Sequence, residues 1–299
     1  MPRLALVTLL LALASIAGLR AGTSKSFTSV DPVVTPPWNA ELSTGWDSLY
    51  MFRGANQLPG YKGYGSGISW TSLTLTTNLT PADTIAIGSW AAFGLGESDY
   101  KEIDGTATYT HTIGNLSLSF GYALYAVLNQ TNGLYAHELN ATAAYEFILG
   151  PVTLTPAIQY AFNLGPAPGH RGYVEQCSSY LDLRLDGNIP LVTDRIALAP
   201  WIATGFNFRY NTSEKSDPPS PFIGANHVET GLSLPLTLSS SATLTPYIAG
   251  SYQWNQLAGT RPATFWGGVA VTLSFLADPP RAEKPASASP QDPRASPAC

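Results

Sequence analysis

Charged residues are scarce in this chain. Asp, Glu, Lys and Arg make up 12% of its 299 residues, which is half of the roughly 25% usual for soluble domains. Past the N-terminus the sequence also lacks any run of about 18 apolar residues, the minimum that a membrane-spanning helix requires. The composition therefore argues against both an ordinary soluble domain and a helical membrane protein.

Basic residues, cysteines and histidines are also few. The formal net charge is −5 and no basic patch is present, so nucleic acid is not expected as a partner. Cys177 and Cys299 are far apart, which argues against a disulfide framework. The 4 histidines lack metal-ligand spacing, and neither HExxH nor CxxC occurs. We therefore expect no cofactor, no metal and no enzyme.

The two ends of the chain differ from its centre. Residues 1–21 have the pattern of a cleaved secretory signal peptide, in which Arg3 precedes an apolar stretch and small residues. Residues 22–39 contain several prolines and are predicted to form a loose arm. Residues 276–299 are rich in Pro, Ala and Ser and are predicted to form a disordered tail. The central residues 40–275 are predicted to form a single folded domain.

Residues 40–275 show strand periodicity instead of helical spacing. In residues 135–148, for example, Leu139 and Ala141 share one face while Asn140 and Thr142 share the other. Side chains alternate across a strand, so one face can meet lipid and the other water. Counting such segments predicts twelve strands, at residues 40–53, 64–78, 84–93, 100–112, 116–127, 135–148, 152–163, 173–189, 196–209, 222–238, 241–254 and 264–275.

The connections between these segments alternate between short and long. Short periplasmic turns and longer outer loops are typical of outer-membrane barrels, and an even strand number leaves both termini periplasmic. The sequence therefore predicts an all-β fold, a single transmembrane antiparallel barrel in the bacterial outer membrane. Aromatic residues near the long connections predict an outer girdle, comprising Tyr50, Phe52, Tyr64, Phe93, Tyr100, Tyr125, Tyr135, Phe162, Tyr173, Phe208, Tyr210, Trp254 and Phe265.

Several short motifs resemble one family. They are SLYMFRG at residues 48–54 followed by Gln57, IGSW at 87–90, EID at 102–104, GY at 121–122 and HEL at 137–139. These resemble the TorF family of porin-like outer-membrane barrels over the first half of the predicted barrel. The resemblance implies an outer-membrane barrel of porin function, and it supplies no catalytic or ligand residue.

The polar face of the strands predicts the lining of the lumen. Nine acidic and three basic residues are assigned to it, namely Glu41, Asp47, Arg53, Glu102, Asp104, Glu138, Glu146, Asp182, Arg184, Asp186, Arg209 and Glu229. Charge rows inside a barrel bias ion selectivity. The predicted function is passive diffusion of small hydrophilic solutes or ions, with a weak preference for cations.

Two other functions stay open at this stage. The barrel could be a non-conducting structural or adhesion barrel that acts through its outer loops. It could also be an outer-membrane lipid hydrolase, for which His137 is the candidate residue, although a histidine at the membrane interface is the simpler interpretation. Expected partners besides solutes are outer-membrane lipid and the assembly machinery, because residues 269–275 resemble the terminal strand that this machinery recognises.

Overall fold

The computed structural model describes residues 38–58, 67–96, 100–128, 134–165, 177–213, 220–254 and 262–276. The predicted signal peptide, nearly all of the arm, and the tail after Leu276 lie outside these residues. Among the described residues the regular structure is all β-strand. None of them forms a helix long and apolar enough to cross a membrane.

The described residues form sixteen strands. Twelve of them are long, and the four short ones are β2, β3, β9 and β14. In chain order the strands are β1 (Asn39–Asp47), β2 (Met51–Phe52), β3 (Ala55–Asn56), β4 (Ile68–Asn78), β5 (Asp83–Gly94), β6 (Lys101–Ile113), β7 (Leu116–Val127), β8 (Leu134–Tyr145), β9 (Phe147–Leu149), β10 (Val152–Gly165), β11 (Ser179–Val192), β12 (Ile196–Ser213), β13 (Ser220–Ser233), β14 (Leu236–Ser239), β15 (Ala242–Gln253) and β16 (Ala263–Leu276).

The sheet closes on itself into a twelve-stranded antiparallel barrel. Each long strand pairs with its neighbours in sequence, and β1 pairs with both β4 and β16. Two short strands extend long ones within the wall. Strand β9 follows β8 and pairs with β10, and β14 follows β13 and pairs with β15. The predicted fold class and strand number are confirmed. Within the described residues, closure leaves none of the twelve long strands at a sheet edge.

The outer wall is apolar all the way round. Each of the twelve wall positions carries at least one large apolar or aromatic side chain that is 37% to 70% exposed. One from each position is Trp46, Leu75, Ile87, Tyr109, Phe120, Tyr145, Ile158, Leu183, Ile202, Ile223, Ile248 and Phe265. Soluble proteins rarely expose so large a continuous apolar surface. A lipid-facing band of this kind is what a membrane barrel requires.

The first predicted strand is the main departure from the sequence pattern. The prediction extended it through residues 40–53, whereas β1 ends at Asp47 and the chain then turns into the barrel. Strands β2 and β3 form a tight hairpin whose turn residues, Arg53 and Gly54, have φ of 49° and 77°. Two successive positive φ values define the hairpin turn that matches strand twist. The alternation gives way here to four consecutive apolar residues, 49–52, and such a run also fits a strand buried on both faces, so the pattern alone could not reveal the turn.

Candidate functional site: a polar chamber beneath an inward hairpin

Residues 48–58, hereafter the inward hairpin, lie inside the barrel at the end with the long connections. The hairpin is fastened at its base to β16, since the Ser48 N–H donates to the Gly267 carbonyl at 2.9 Å. Its return arm is held by Leu58, which is 1% exposed and packs in an apolar cluster with Ile68, Trp90 and Tyr100. Apolar burial at the base therefore fixes where the hairpin enters the lumen.

The tip of the inward hairpin carries a buried ion pair. Arg53 donates through both terminal nitrogens to the Glu138 carboxylate on β8, with Nη2 2.8 Å from Oε1. The guanidinium carbon also lies 4.5 Å from the ring centre of Tyr210 and 5.1 Å from that of Tyr180. Bidentate pairing and stacking on rings suit the planar guanidinium. This arrangement holds the hairpin tip across the bore from its base.

Side chains of β13 and β15, the strands that follow β16 in the sheet order, complete the attachment. The side-chain amide of Asn226 donates to the Arg53 carbonyl at 2.7 Å, and that of Gln253 donates to the Gly54 carbonyl. A Cβ at Gly54 would lie 2.7 Å from Nδ1 of His227, so only glycine fits at this position. The inward hairpin is thus anchored on β8, β13, β15 and β16 and crosses the lumen.

A cavity of about 710 Å³ lies beneath the inward hairpin, and we call it the chamber. Met51 and Arg53 contribute to its roof, and it extends to Thr110 and Ser119 near the short-turn end. Its volume lies within the roughly 300–1,000 Å³ of typical small-molecule sites. The wall is polar between aromatic rings, which include Tyr50, Trp70, Trp90, Tyr125, Tyr180, Tyr247 and Trp266.

Six of the twelve residues predicted to line the lumen border the chamber: Asp47, Arg53, Asp104, Asp182, Arg184 and Glu229. Both arginines are already paired, Arg53 with Glu138 and Arg184 with Asp186. In the described part of the chain, none of the four carboxylates forms a salt bridge with arginine or lysine. Glu229 approaches only the ring of His227, at 3.8 Å. Acidic side chains without a basic partner therefore outnumber basic ones on the chamber wall within the described residues.

The other six residues predicted to line the lumen do not border the chamber. Glu138 and Glu102 are 1% and 5% exposed and sit at the level of the inward hairpin, where Glu102 accepts from the Tyr100 hydroxyl at 2.5 Å. Asp186 accepts from Nε and Nη2 of Arg184. Glu41 and Glu146 do not border the chamber, and they are half-buried near the short-turn end of the barrel. Arg209 does not border it either and is exposed.

The position of Arg209 has a backbone cause. Its φ is 65°, and the pairing of β12 with β13 shifts register just after Phe208. A bulge of this kind resets which side chains point inward. Tyr210 is consequently buried against Arg53 and Tyr180, while Arg209 is exposed. The alternation in the sequence had placed Arg209 in the lumen.

Part of the predicted aromatic girdle also lies inside the barrel. Tyr50 packs on Trp90 with ring centres 5.1 Å apart, and Phe52 packs on Tyr125 at 5.5 Å. Tyr100 and Tyr210 are buried at 4% and 5% exposure. By contrast Phe93, Phe208, Trp254 and Phe265 are exposed as a girdle requires. Tyr64 and Tyr173 lie outside the described residues.

The histidines do not form a catalytic or metal-binding constellation among the residues described. His137 lies on the outer wall, with Nδ1 2.5 Å from the Tyr122 hydroxyl. His111 pairs with Asp83 at 2.7 Å near a short turn. His227 is buried beside Tyr180, whose hydroxyl lies 3.1 Å from Nδ1. No group of three or more His, Cys, Asp or Glu in the described ranges could hold a metal ion.

No protein-family model matches the chain, and no curated protein matches it. Solved structures are similar in fold. The COG4313 outer membrane channel from Pseudomonas putida F1 is 12% identical, with a TM-score of 0.51 over 83% of this chain and 100% of that chain. The translocator domain of the autotransporter NalP from Neisseria meningitidis is 12% identical, with a TM-score of 0.46 over 82% of this chain and 90% of that chain. The structural neighbours are thus outer-membrane β-barrels.

Proposed function

We propose that this protein is an outer-membrane channel for passive diffusion of small hydrophilic solutes or ions. The observation that carries the proposal is the polar chamber, which occupies the interior of a closed barrel whose outside is apolar. A water-filled lumen inside a lipid-facing wall is the arrangement of porins. Export by the N-terminal signal peptide and membership of the TorF family belong to the same proposal.

We expect a weak preference for cations in planar bilayers. Six charged residues border the chamber, two arginines and four acidic residues. Each arginine forms a salt bridge with a carboxylate that does not border the chamber, so the four acidic residues on the chamber wall are not paired with these arginines. Charged rings of one sign favour ions of the opposite sign. The reversal potential in a potassium chloride gradient tests both conduction and selectivity. Absence of any channel current would contradict the proposed function, and an anion preference would contradict the charge assignment.

One observation favours the alternative of a non-conducting barrel. The inward hairpin crosses the bore and is anchored on walls that lie on different sides of it. If the hairpin never moves, the protein would act as a structural or adhesion barrel through its outer loops. A barrel of twelve strands is wider than the eight-stranded kind that side chains fill, and the chamber is consistent with that difference. The conductance measurement separates the two functions.

We expect the C-terminal tail to be dispensable for the barrel. Strand β16 ends at Leu276, and its last residues pair with β1, so the wall is complete at that position. Truncation after Leu276 should leave the protein in the membrane with unchanged heat-modifiable mobility on gels. Failure of the truncated protein to reach the membrane would assign the tail a role in export or assembly.

A further inference from the structure

One row of side chains on the chamber wall places a carboxylate between two aromatic rings. Asp104 on β6 is the direct cross-strand partner of Trp90 on β5 and of Tyr125 on β7. All three border the chamber. Directly opposed residues on one face of a sheet have Cβ atoms about 4.5–5.5 Å apart. The inward hairpin covers part of each ring, with Tyr50 on Trp90 and Phe52 on Tyr125, and the remaining ring surface borders the chamber on either side of the carboxylate.

The Asp104 carboxylate has unused bonding capacity. Asp104 is 6% exposed, and its Oδ1 atom has no hydrogen-bond partner among the described residues. Glu102 lies two residues away on the same inward face and is 5% exposed. Neither carboxylate forms a salt bridge within the described part of the chain. A ligand that brings a positive charge to this pair of buried carboxyl groups would compensate the cost of burying their negative charge.

The protein itself shows what such a position can hold. Two strands further along the wall, on β8, Glu138 binds the guanidinium of Arg53. That guanidinium also lies against the rings of Tyr180, Tyr210 and Phe52. Tyr125 joins the two positions, because its hydroxyl donates to Glu138 at 3.2 Å while its neighbour across the strands is Asp104. The wall thus has two positions that combine a carboxylate with aromatic rings. At Glu138 the position is occupied by Arg53 of the same chain, and at Asp104 it borders the chamber.

We infer that the chamber binds small organic cations, with the Trp90–Asp104–Tyr125 row holding an ammonium or guanidinium head. Aromatic faces attract such cations, most strongly at tryptophan, and the carboxylate supplies a charge-assisted hydrogen bond. Arg184 and Asp182 across the chamber would meet the rest of the ligand. This inference rests on the proposed function only where it identifies the bound cations as the solutes of the channel. The binding itself can be measured without conduction.

The test is calorimetric titration of the detergent-solubilised barrel with agmatine, a four-carbon chain bearing a guanidinium and an ammonium. Butylurea, of similar shape but uncharged, is the control ligand. Agmatine should bind saturably and butylurea should not. Asp104→Asn should weaken agmatine binding about tenfold, because one charge-assisted hydrogen bond is lost. That substitution removes a buried charge without changing shape, so the barrel should still fold.

Two further variants keep the test decisive. Asp194→Asn removes the same charge from an exposed short turn where φ is 60°, a conformation that asparagine tolerates, and it should leave binding unchanged. Trp90→Phe keeps a ring but weakens its attraction for cations, and it should reduce affinity several-fold. No agmatine binding, equal binding of butylurea, or equal weakening by Asp194→Asn would each overturn the inference. Conductance without agmatine binding would leave the channel standing and refute this site alone.

Discussion

Barrels in which residues 49–57 are replaced by a short Gly/Ser linker should conduct several-fold more current than the wild type. The inward hairpin crosses the lumen between β16 and the Arg53–Glu138 pair, and its residues form the roof of the chamber. Without it the bore is limited by the wall side chains of twelve strands, a wider opening than in eight-stranded barrels. Single-channel conductance in planar bilayers measures the difference.

A smaller substitution should loosen the hairpin without deleting it. Arg53→Ala removes the bidentate pair and three ring contacts, and losing one partner of a buried pair costs about 3–5 kcal/mol. The remaining anchors are two hydrogen bonds to backbone carbonyls at the tip. We therefore expect the Arg53→Ala channel to fluctuate between a low and a high conductance level.

The control for both variants is a Gly/Ser replacement of the exposed turn at residues 193–195, which lies away from the chamber. This control should conduct as the wild type does. Unchanged conductance in a correctly folded barrel that lacks the hairpin would show that the hairpin does not limit the current. Heat-modifiable gel mobility verifies that each variant is folded.

Ala141→Arg should sharply lower the folded yield, whereas Thr142→Arg should fold normally and change the conductance. Ala141 is exposed on the outer wall, and its cross-strand partners Phe120 and Tyr160 are 58% and 43% exposed. Thr142 borders the chamber, as do its partners Ser119 and Gln159. Arginine on the lipid face near the midplane costs about 2–4 kcal/mol, whereas the lumen face tolerates such substitutions and they alter conduction.

The contrast between the adjacent positions is its own control, because both variants add the same side chain to one strand. Refolding yield into lipid vesicles measures the first effect and single-channel conductance the second. A damaging Thr142→Arg with a silent Ala141→Arg would mean that the register of β8 is displaced by one residue, which exchanges the two faces. Two silent substitutions would contradict a membrane-spanning β8.

The period-two alternation in the sequence was sufficient to determine the wall of this barrel. Because a strand can bury only alternate residues, the pattern of residues such as Leu139, Asn140, Ala141 and Thr142 sets both the strand and its faces. The alternation of short and long connections gave the antiparallel order and the even strand number. These are local properties, and twelve strands follow from them without knowledge of any distant contact.

Only the tertiary structure decided what fills the lumen. The Arg53–Glu138 pair joins residues 85 positions apart, and the Asn226 amide reaches the Arg53 carbonyl across 173 positions. Residues 49–52 are four consecutive apolar residues, a run that fits a strand buried on both faces, so the sequence pattern is compatible both with a longer β1 and with a chain that turns inward. Closure of the barrel brings Glu138, Tyr180 and Tyr210 to one place, and this convergence of distant strands draws the guanidinium and its hairpin into the bore.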